Sequence, residues 1–201
     1  MSLLILVRHG ESEWNASRKI TGQADIALTD LGKEQARQVG KKLKDTGIDT
    51  AYTSELLRAV QTLSEIQSQR QEIVPYSKSA ALNERDFGAF TGRIKSDVAE
   101  EIGADVYARM FQSWDVAAPE GESLEMVYER VVPYFKDVIL KELQNGKNVL
   151  VVAHHHTLRT LVKYLEAMSS DEVASLKLKN AEAITYDFDP ESIVFTKRLV
   201  G

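Results

Sequence analysis

The chain alternates short unbroken apolar runs with longer stretches whose apolar positions recur every three or four residues. Leu3-Leu4-Ile5-Leu6-Val7 and Val149-Leu150-Val151-Val152 contain no polar residue, the pattern of strands buried on both faces of a parallel sheet. Ala51-Tyr52-Thr53 and residues 72–75 read as two shorter strands, the second ending at Pro75, which suits a strand end. Residues 184–188 and 193–196 read as closing strands around an Asp189-Pro190 turn.

The stretches between them carry helical signals. Thr29-Asp30 offers an N-cap to a helix with Leu31, Ala36, Val39 and Leu43 on one stripe, and Lys41, Lys42, Lys44 and Gly47 suit its end. Ser54 offers a cap to a helix with Leu56, Leu57, Val60, Leu63 and Ile66, and Arg58 in its first turn. Residues 94–102 and 105–112 predict two short helices. Ser123 caps a long helix carrying Leu124, Val127, Tyr128, Val131, Phe135 and Val138, in which Pro133 predicts a kink or a break. Residues 157–168 predict a helix with Leu158, Leu161, Val162 and Leu165 facing inward. Residues 11–25, 82–91 and 117–121 read as loops, with a tight turn at Thr21-Gly22. No repeat, low-complexity segment or linker divides the chain. The alternation predicts one α/β domain over residues 1–201, a three-layer α/β/α sandwich around a mostly parallel sheet.

Composition narrows the function classes. The net charge is −5 and the basic residues are scattered, so neither nucleic acid nor an anionic membrane surface is an expected partner. An anionic ligand needs its own local basic pocket. With no Cys there is no disulfide framework, thiolate zinc site or cysteine nucleophile. No apolar run approaches the ~20 residues of a membrane span. The first residues enter a strand directly, without a signal-peptide pattern, so a cytoplasmic location is expected. The absence of a Walker loop or a Gly-x-Gly-x-x-Gly stretch argues against nucleotide cofactors. Gly10-Glu11-Ser12-Glu13-Trp14 is not a serine nucleophile elbow.

All four histidines fall just after the two most apolar strands, as His9 and as His154, His155 and His156. In open α/β sheets the ligand crevice lies beyond such carboxyl ends. A neutral imidazole is a competent nucleophile toward phosphorus, and phosphoryl transfer asks mainly for positioning and charge neutralisation. Arg8 adjoins His9, and Arg58 begins a helix after another strand, so two guanidiniums can reach one phosphate. His154 is a further donor, and Ser12, Asn15, Thr21 and Gly22 are neutral ones. Glu84, flanked by Arg85 in a glycine-bounded loop, is the candidate acid; acting near neutrality requires a raised pKa. Activity is expected to drop as His9 protonates. Of His155 and His156, one is expected to line the pocket and the other to begin a helix. Consecutive histidines do not converge on one ion, and no second cluster completes a set, so no metal is expected.

The segment Leu6-Val7-Arg8-His9-Gly10-Glu11-Ser12-Glu13-Trp14-Asn15 resembles the signature of the histidine phosphatase superfamily, and within it the cofactor-dependent phosphoglycerate mutases. Similarity continues through Thr21-Gly22, Leu28-Thr29-Asp30-Leu31-Gly32, Tyr52-Thr53-Ser54, Arg58-Ala59, Leu82-Asn83-Glu84-Arg85, Pro119-Glu120-Gly121-Glu122-Ser123 and Leu158-Arg159-Thr160-Leu161-Val162-Lys163-Tyr164-Leu165-Glu166. The resemblance implies a phosphoglycerate mutase-like fold and a phosphohistidine at His9. Glu84 would be the acid/base, and Arg8, Arg58 and His154 would complete the phosphate pocket. Asn15, Thr21 and Gly22 would line it, and Lys95 would contact substrate. It implies a mutase interconverting 3- and 2-phosphoglycerate, primed by 2,3-bisphosphoglycerate. The alternative is a phosphatase acting on small phosphomonoesters, with water as acceptor. A non-catalytic phosphoprotein-binding module is a third class, disfavoured by the presence of both His9 and Glu84. Association into a homo-oligomer is left open by the sequence.

Four departures from the mutase pattern cluster in the half of the pocket that would hold a second charged group. His155-His156 stand where mutases usually read Gly-Asn, and Phe111-Gln112 stand for two adjacent arginines. Phe87 replaces a Tyr, and Asn180-Ala181 replaces a Thr-Gly loop. Losing two arginines removes charge-assisted contacts of roughly 1.5–3 kcal/mol each. Arg109 and Lys95 are the candidates to compensate.

Overall fold

The computed structural model describes residues 1–198. Six strands form one sheet in the order β3-β2-β4-β1-β5-β6, where β1 is Ser2–Arg8, β2 Thr50–Thr53, β3 Tyr76–Lys78, β4 Val149–Ala153, β5 Ala183–Asp189 and β6 Val194–Lys197. β1 to β4 run parallel, β5 is antiparallel to β1, and β6 to β5.

Alternation along the central strands divides the core in two. Leu4 and Leu6 of β1 and Val149 and Val151 of β4 pack with Val131, Phe135, Leu158 and Leu161. These come from α6 (Leu124–Tyr134), the π turn that follows it, and α8 (His155–Leu165). Ile5, Val7, Leu150 and Val152 pack on the other face with Val39, Leu63 and Ile66, from α2 (Asp30–Leu43) and α3 (Leu57–Gln67). Each such side chain contributes roughly 1.5–3 kcal/mol on burial. A third, smaller cluster of Ile20, Phe87, Phe90, Val98 and Met110 lies under α4 (Lys95–Ile102) and α5 (Ala104–Gln112). Among the described residues, no helix is long and apolar enough to cross a membrane.

Several local expectations are corrected. The third strand begins after Pro75 instead of ending there: the Pro75 carbonyl accepts from Ala51 N–H, a role that needs no donor from proline. The 11–25 loop contains a one-turn helix, α1 (Glu13–Ala16), closed by a capping box between Ser12 and Asn15. Leu31 is 55% exposed and Leu57 38% exposed, because each sits in the first helical turn, off the buried stripe. Pro133 does not break its helix. The chain continues through a π turn at Phe135–Ile139 into α7 (Leu140–Gln144), which moves the buried stripe to Phe135, Ile139 and Leu143. A helix absent from the sequence reading, α9 (Ser170–Ser175), is capped by Ser169 and Glu172.

Candidate functional site

β1 and β4 end side by side, with Arg8 in register with Ala153, so His9 and His154 leave the sheet at one edge. Their ring centroids are 5.0 Å apart. The His9 loop is pressed onto the start of α2: a Cβ on Gly10 would lie 2.3 Å from Gly32 O, and one on Gly32 2.0 Å from Glu11 O. Thr62 Oγ1 accepts from Gly10 N–H at 3.0 Å, which ties the same loop to α3.

His9 is 3% exposed, and its Nδ1 lies 2.7 Å from Gly10 O. A carbonyl can only accept, so Nδ1 carries the proton and Nε2 keeps its lone pair. Burial first, then the charges of Arg58 and Arg8, hold its pKa well below the ordinary histidine value. The ring is therefore neutral in the nucleophilic tautomer. His154 is fully buried and is also held neutral by burial and Arg58. Its Nε2 is 2.7 Å from Ser54 Oγ, which already accepts from Leu56 N–H. Ser54 is placed to donate its hydroxyl proton to Nε2, the arrangement that leaves Nδ1–H, buried without a partner among the described residues, as a free donor. Ser54 was expected as a helix cap; Leu56 holds that position without a side-chain bond.

A cleft of about 310 Å³ opens at this edge. Arg8, His9, Asn15, Thr21, Gly22 and Arg58 line one part of it, and Glu84, Lys95, His155 and His156 another. Arg58 donates to Gly22 O and Ala24 O and Arg8 to Leu178 O, yet the Nε of each is buried without a protein acceptor. Burial lowers Arg58 to about 10, so it stays a cation at neutrality. Asn15 Oδ1 accepts from Ser12 N–H and Asn180 Nδ2, which leaves its amide N–H groups as donors. These groups present several unpaired donors, two of them cationic, to one part of the cleft.

Glu84 is 7% exposed. Its Oε1 accepts from Arg85 N–H at 2.9 Å and His156 N–H at 3.1 Å, with His156 Nδ1 at 3.5 Å. Burial pushes its pKa up, but His156, His154 and the Arg85 N–H outweigh that and hold it well below the usual carboxylate value. The expected raised pKa is thus absent from the protein alone. A phosphate against Arg8 and Arg58 would supply the like charge that raises it. Arg130, ion-paired with Glu122, donates to the carbonyls of Ala81, Asn83 and Glu84 and holds this loop in place.

Three of the expected site residues do not line the cleft: Ser12, Arg85 and His154, whose ring is fully buried beside His9. Ser12 is buried as the cap of α1. Arg85 is fully buried, donates to Glu122 O and Val116 O, and lies over the Phe87 ring. His156 faces Glu84, and His155 both lines the cleft and begins α8. Among the described residues, no group of three His, Cys, Asp or Glu is placed to hold a metal. Arg109, a candidate to replace the missing arginine pair, lines a separate depression with Asp105 and Asp171.

Phe87, Phe111 and Gln112 line the cleft, as their place among the departures from the mutase pattern implied, whereas Lys19, Arg159 and Lys177 line it without having been expected there. Phe111 stacks on Phe87 at 4.8 Å and packs on Tyr107 at 4.4 Å. Arg159 is 2% exposed, and its guanidinium donates to Val173 O and Phe111 O. Its burial on α8 at i+4 from His155 was the available signal.

The chain is 41% identical to a 2,3-bisphosphoglycerate-dependent phosphoglycerate mutase from Bradyrhizobium diazoefficiens, covering 97% of this chain and 96% of that one. It is 36% identical to the mutase 2 of Lactiplantibacillus plantarum over 100% of both chains. The solved alpha-ribazole phosphatase of Shigella flexneri superposes with a TM-score of 0.84 at 30% identity, covering 98% of this chain and 95% of that one. Bacillus stearothermophilus YhfR shares the fold, with a TM-score of 0.86 at 24% identity over 98% and 95% of the two chains. A family model matches residues 4–199, and the chain belongs to that family, the histidine phosphatase superfamily (branch 1).

Proposed function

We propose that the protein is a phosphomonoester phosphatase working through a phosphohistidine at His9, on small cytoplasmic substrates. The observation that carries this reading is the Phe87–Phe111 stack at the far end of the cleft. A phosphoglycerate would present its second charged group to a wall that carries these rings in place of paired arginines, with the single charges of Lys19 and Lys177 beside them. Arg159 does not restore the pair, since its guanidinium is directed to backbone carbonyls.

In this mechanism Arg8, Arg58, Asn15 and His154 hold the phosphate, and His9 Nε2 attacks phosphorus in line with the ester oxygen. The N–P bond forms as the P–O bond breaks. The substrate enters as its monoanion, whose proton passes to Glu84 as the phosphate charge raises the carboxyl pKa, and Glu84 delivers it to the leaving alkoxide. Water then attacks the phosphohistidine while Glu84 takes its proton. The N–P bond breaks, Glu84 returns the proton to a phosphate oxygen, and orthophosphate leaves as its monoanion with the carboxylate restored.

The mutase reading is favoured by the names of relatives at 35–41% identity. One pair of assays separates the two. The phosphatase releases inorganic phosphate from monoesters without priming, whereas the mutase equilibrates phosphoglycerates only after 2,3-bisphosphoglycerate priming. His9→Ala removes both activities and the acid-labile label. A label that persists in that variant refutes the phosphohistidine assignment.

A further inference from the structure

We infer that the ring of His156 is a positioning residue for Glu84, donating Nδ1–H to Oε1 so that Oε2 is the oxygen that exchanges protons with the reactants. This rests on the proposed mechanism for its chemical meaning, and on the geometry alone for the pairing itself.

Every protein hydrogen bond to the Glu84 carboxylate ends on Oε1: from the main chain of Arg85 at 2.9 Å and of His156 at 3.1 Å. The His156 ring approaches that same oxygen at 3.5 Å through Nδ1. Nδ1 is buried and makes no hydrogen bond among the described residues, and the Glu84 carboxylate at 3.5 Å is the acceptor that a small closing of the gap would bring into bonding distance. The ring cannot swing away, because Phe87 meets it edge-on at 5.4 Å and His155 at 5.0 Å. The charged groups facing it are Glu84 and Arg85 from the loop, and Arg159 from its own helix. The two arginines disfavour a second cation, and burial does the same, so His156 acts as a neutral donor.

The two half-reactions ask opposite things of Glu84. Ester cleavage needs its proton, and hydrolysis of the phosphohistidine needs its free carboxylate. A neutral N–H on Oε1 favours the carboxylate without adding a charge that would block its protonation. The main-chain N–H of His156 survives any substitution, so variants isolate the ring.

The test is a carboxyl ¹³C NMR titration of Glu84, free and with inorganic phosphate, with the signal assigned by Glu84→Gln. In His156→Phe the Glu84 titration moves up by about one pH unit, and in His156→Asn, which restores a donor, it returns toward the wild type. The acid limb of kcat moves in the same direction, because hydrolysis needs the ionised carboxylate. His156→Leu, equally unable to donate, takes the place of His156→Phe if phenylalanine disturbs the packing. An unchanged titration in the variant lacking a donor overturns the inference, as does a shift of equal size in His156→Asn. The titration reads the pairing without turnover, so it is decided whether or not His9 accepts a phosphoryl group.

Discussion

Ser54 Oγ lies 2.7 Å from His154 Nε2 and so fixes the orientation of a fully buried ring. Removing the hydroxyl takes away that hydrogen bond and frees the ring to turn and to change tautomer. Ser54→Ala is expected to lower kcat roughly ten- to a hundredfold, the usual range for a residue that orients an active-site ligand. Steady-state kinetics checks this, with thermal unfolding to show that the fold survives. Wild-type kcat in the variant would mean that His154 orientation is set elsewhere.

The depressed pKa values of the histidines predict two pH effects. His9 stays neutral well below the ordinary histidine pKa, so a kcat/KM profile is not limited by its protonation as the pH falls through 6.5. The drop expected at an ordinary histidine pKa moves to lower pH.

Stability behaves differently. His9, His154, His155 (lowered to about 2) and His156 all resist protonation in the fold, whereas the unfolded chain takes up protons near pH 6.5. Above that pH both states are neutral and the imidazoles contribute nothing. Below it the unfolded state binds more protons, and each neutral ring costs about 1.4 kcal/mol of stability per pH unit. Urea midpoints at pH 7.5, 6.5 and 5.5 should therefore fall steeply over the last step. A flat profile would contradict the buried, neutral histidine cluster.

Phe111 gives a specificity prediction. Phe111→Ala removes the ring stacked on Phe87, and kcat/KM for an aryl phosphate should fall about tenfold, the equivalent of roughly 1.4 kcal/mol of lost apolar contact. Hydrolysis of a small polar monoester should change much less. Equal losses on both substrates would place the effect in the fold and not in substrate contact.

Ala167 follows α8 with φ 51°, the left-handed conformation in which a Cβ is unfavourable. Met168 N–H bonds back to Lys163 O at 3.0 Å, as at a glycine-terminated helix. Ala167→Gly is expected to stabilise the protein by about 1 kcal/mol, read as a raised Tm with unchanged kcat.

The phosphate half of the site was legible because it depends on short segments at strand ends, where Arg8-His9 and His154 are fixed by two apolar runs. In the other half Phe87 and Phe111 were legible only as departures from a family pattern. That they stack on each other, and that Arg159 donates to Phe111 O, comes from packing between a loop, a helix and the first turns of α8, which nothing in their spacing announces. Arg85 shows the opposite error: its place beside Glu84 suggested a ligand contact, yet its guanidinium turns inward to Glu122 O and Val116 O. β3 was misplaced because Glu72 and Ile73 look strand-like, while pairing selects residues after the proline.

The parallel pairing of β1 with β4 joins segments about 145 residues apart in sequence. That separation has a kinetic consequence. β1 is made well before its neighbours β4 and β5, so an apolar strand waits without them while the residues between are synthesised. No fragment that lacks β4 can assemble the two-histidine corner. Activity should appear in a growing chain only after β4 has been made, and until then β1 is an exposed apolar strand open to misassembly.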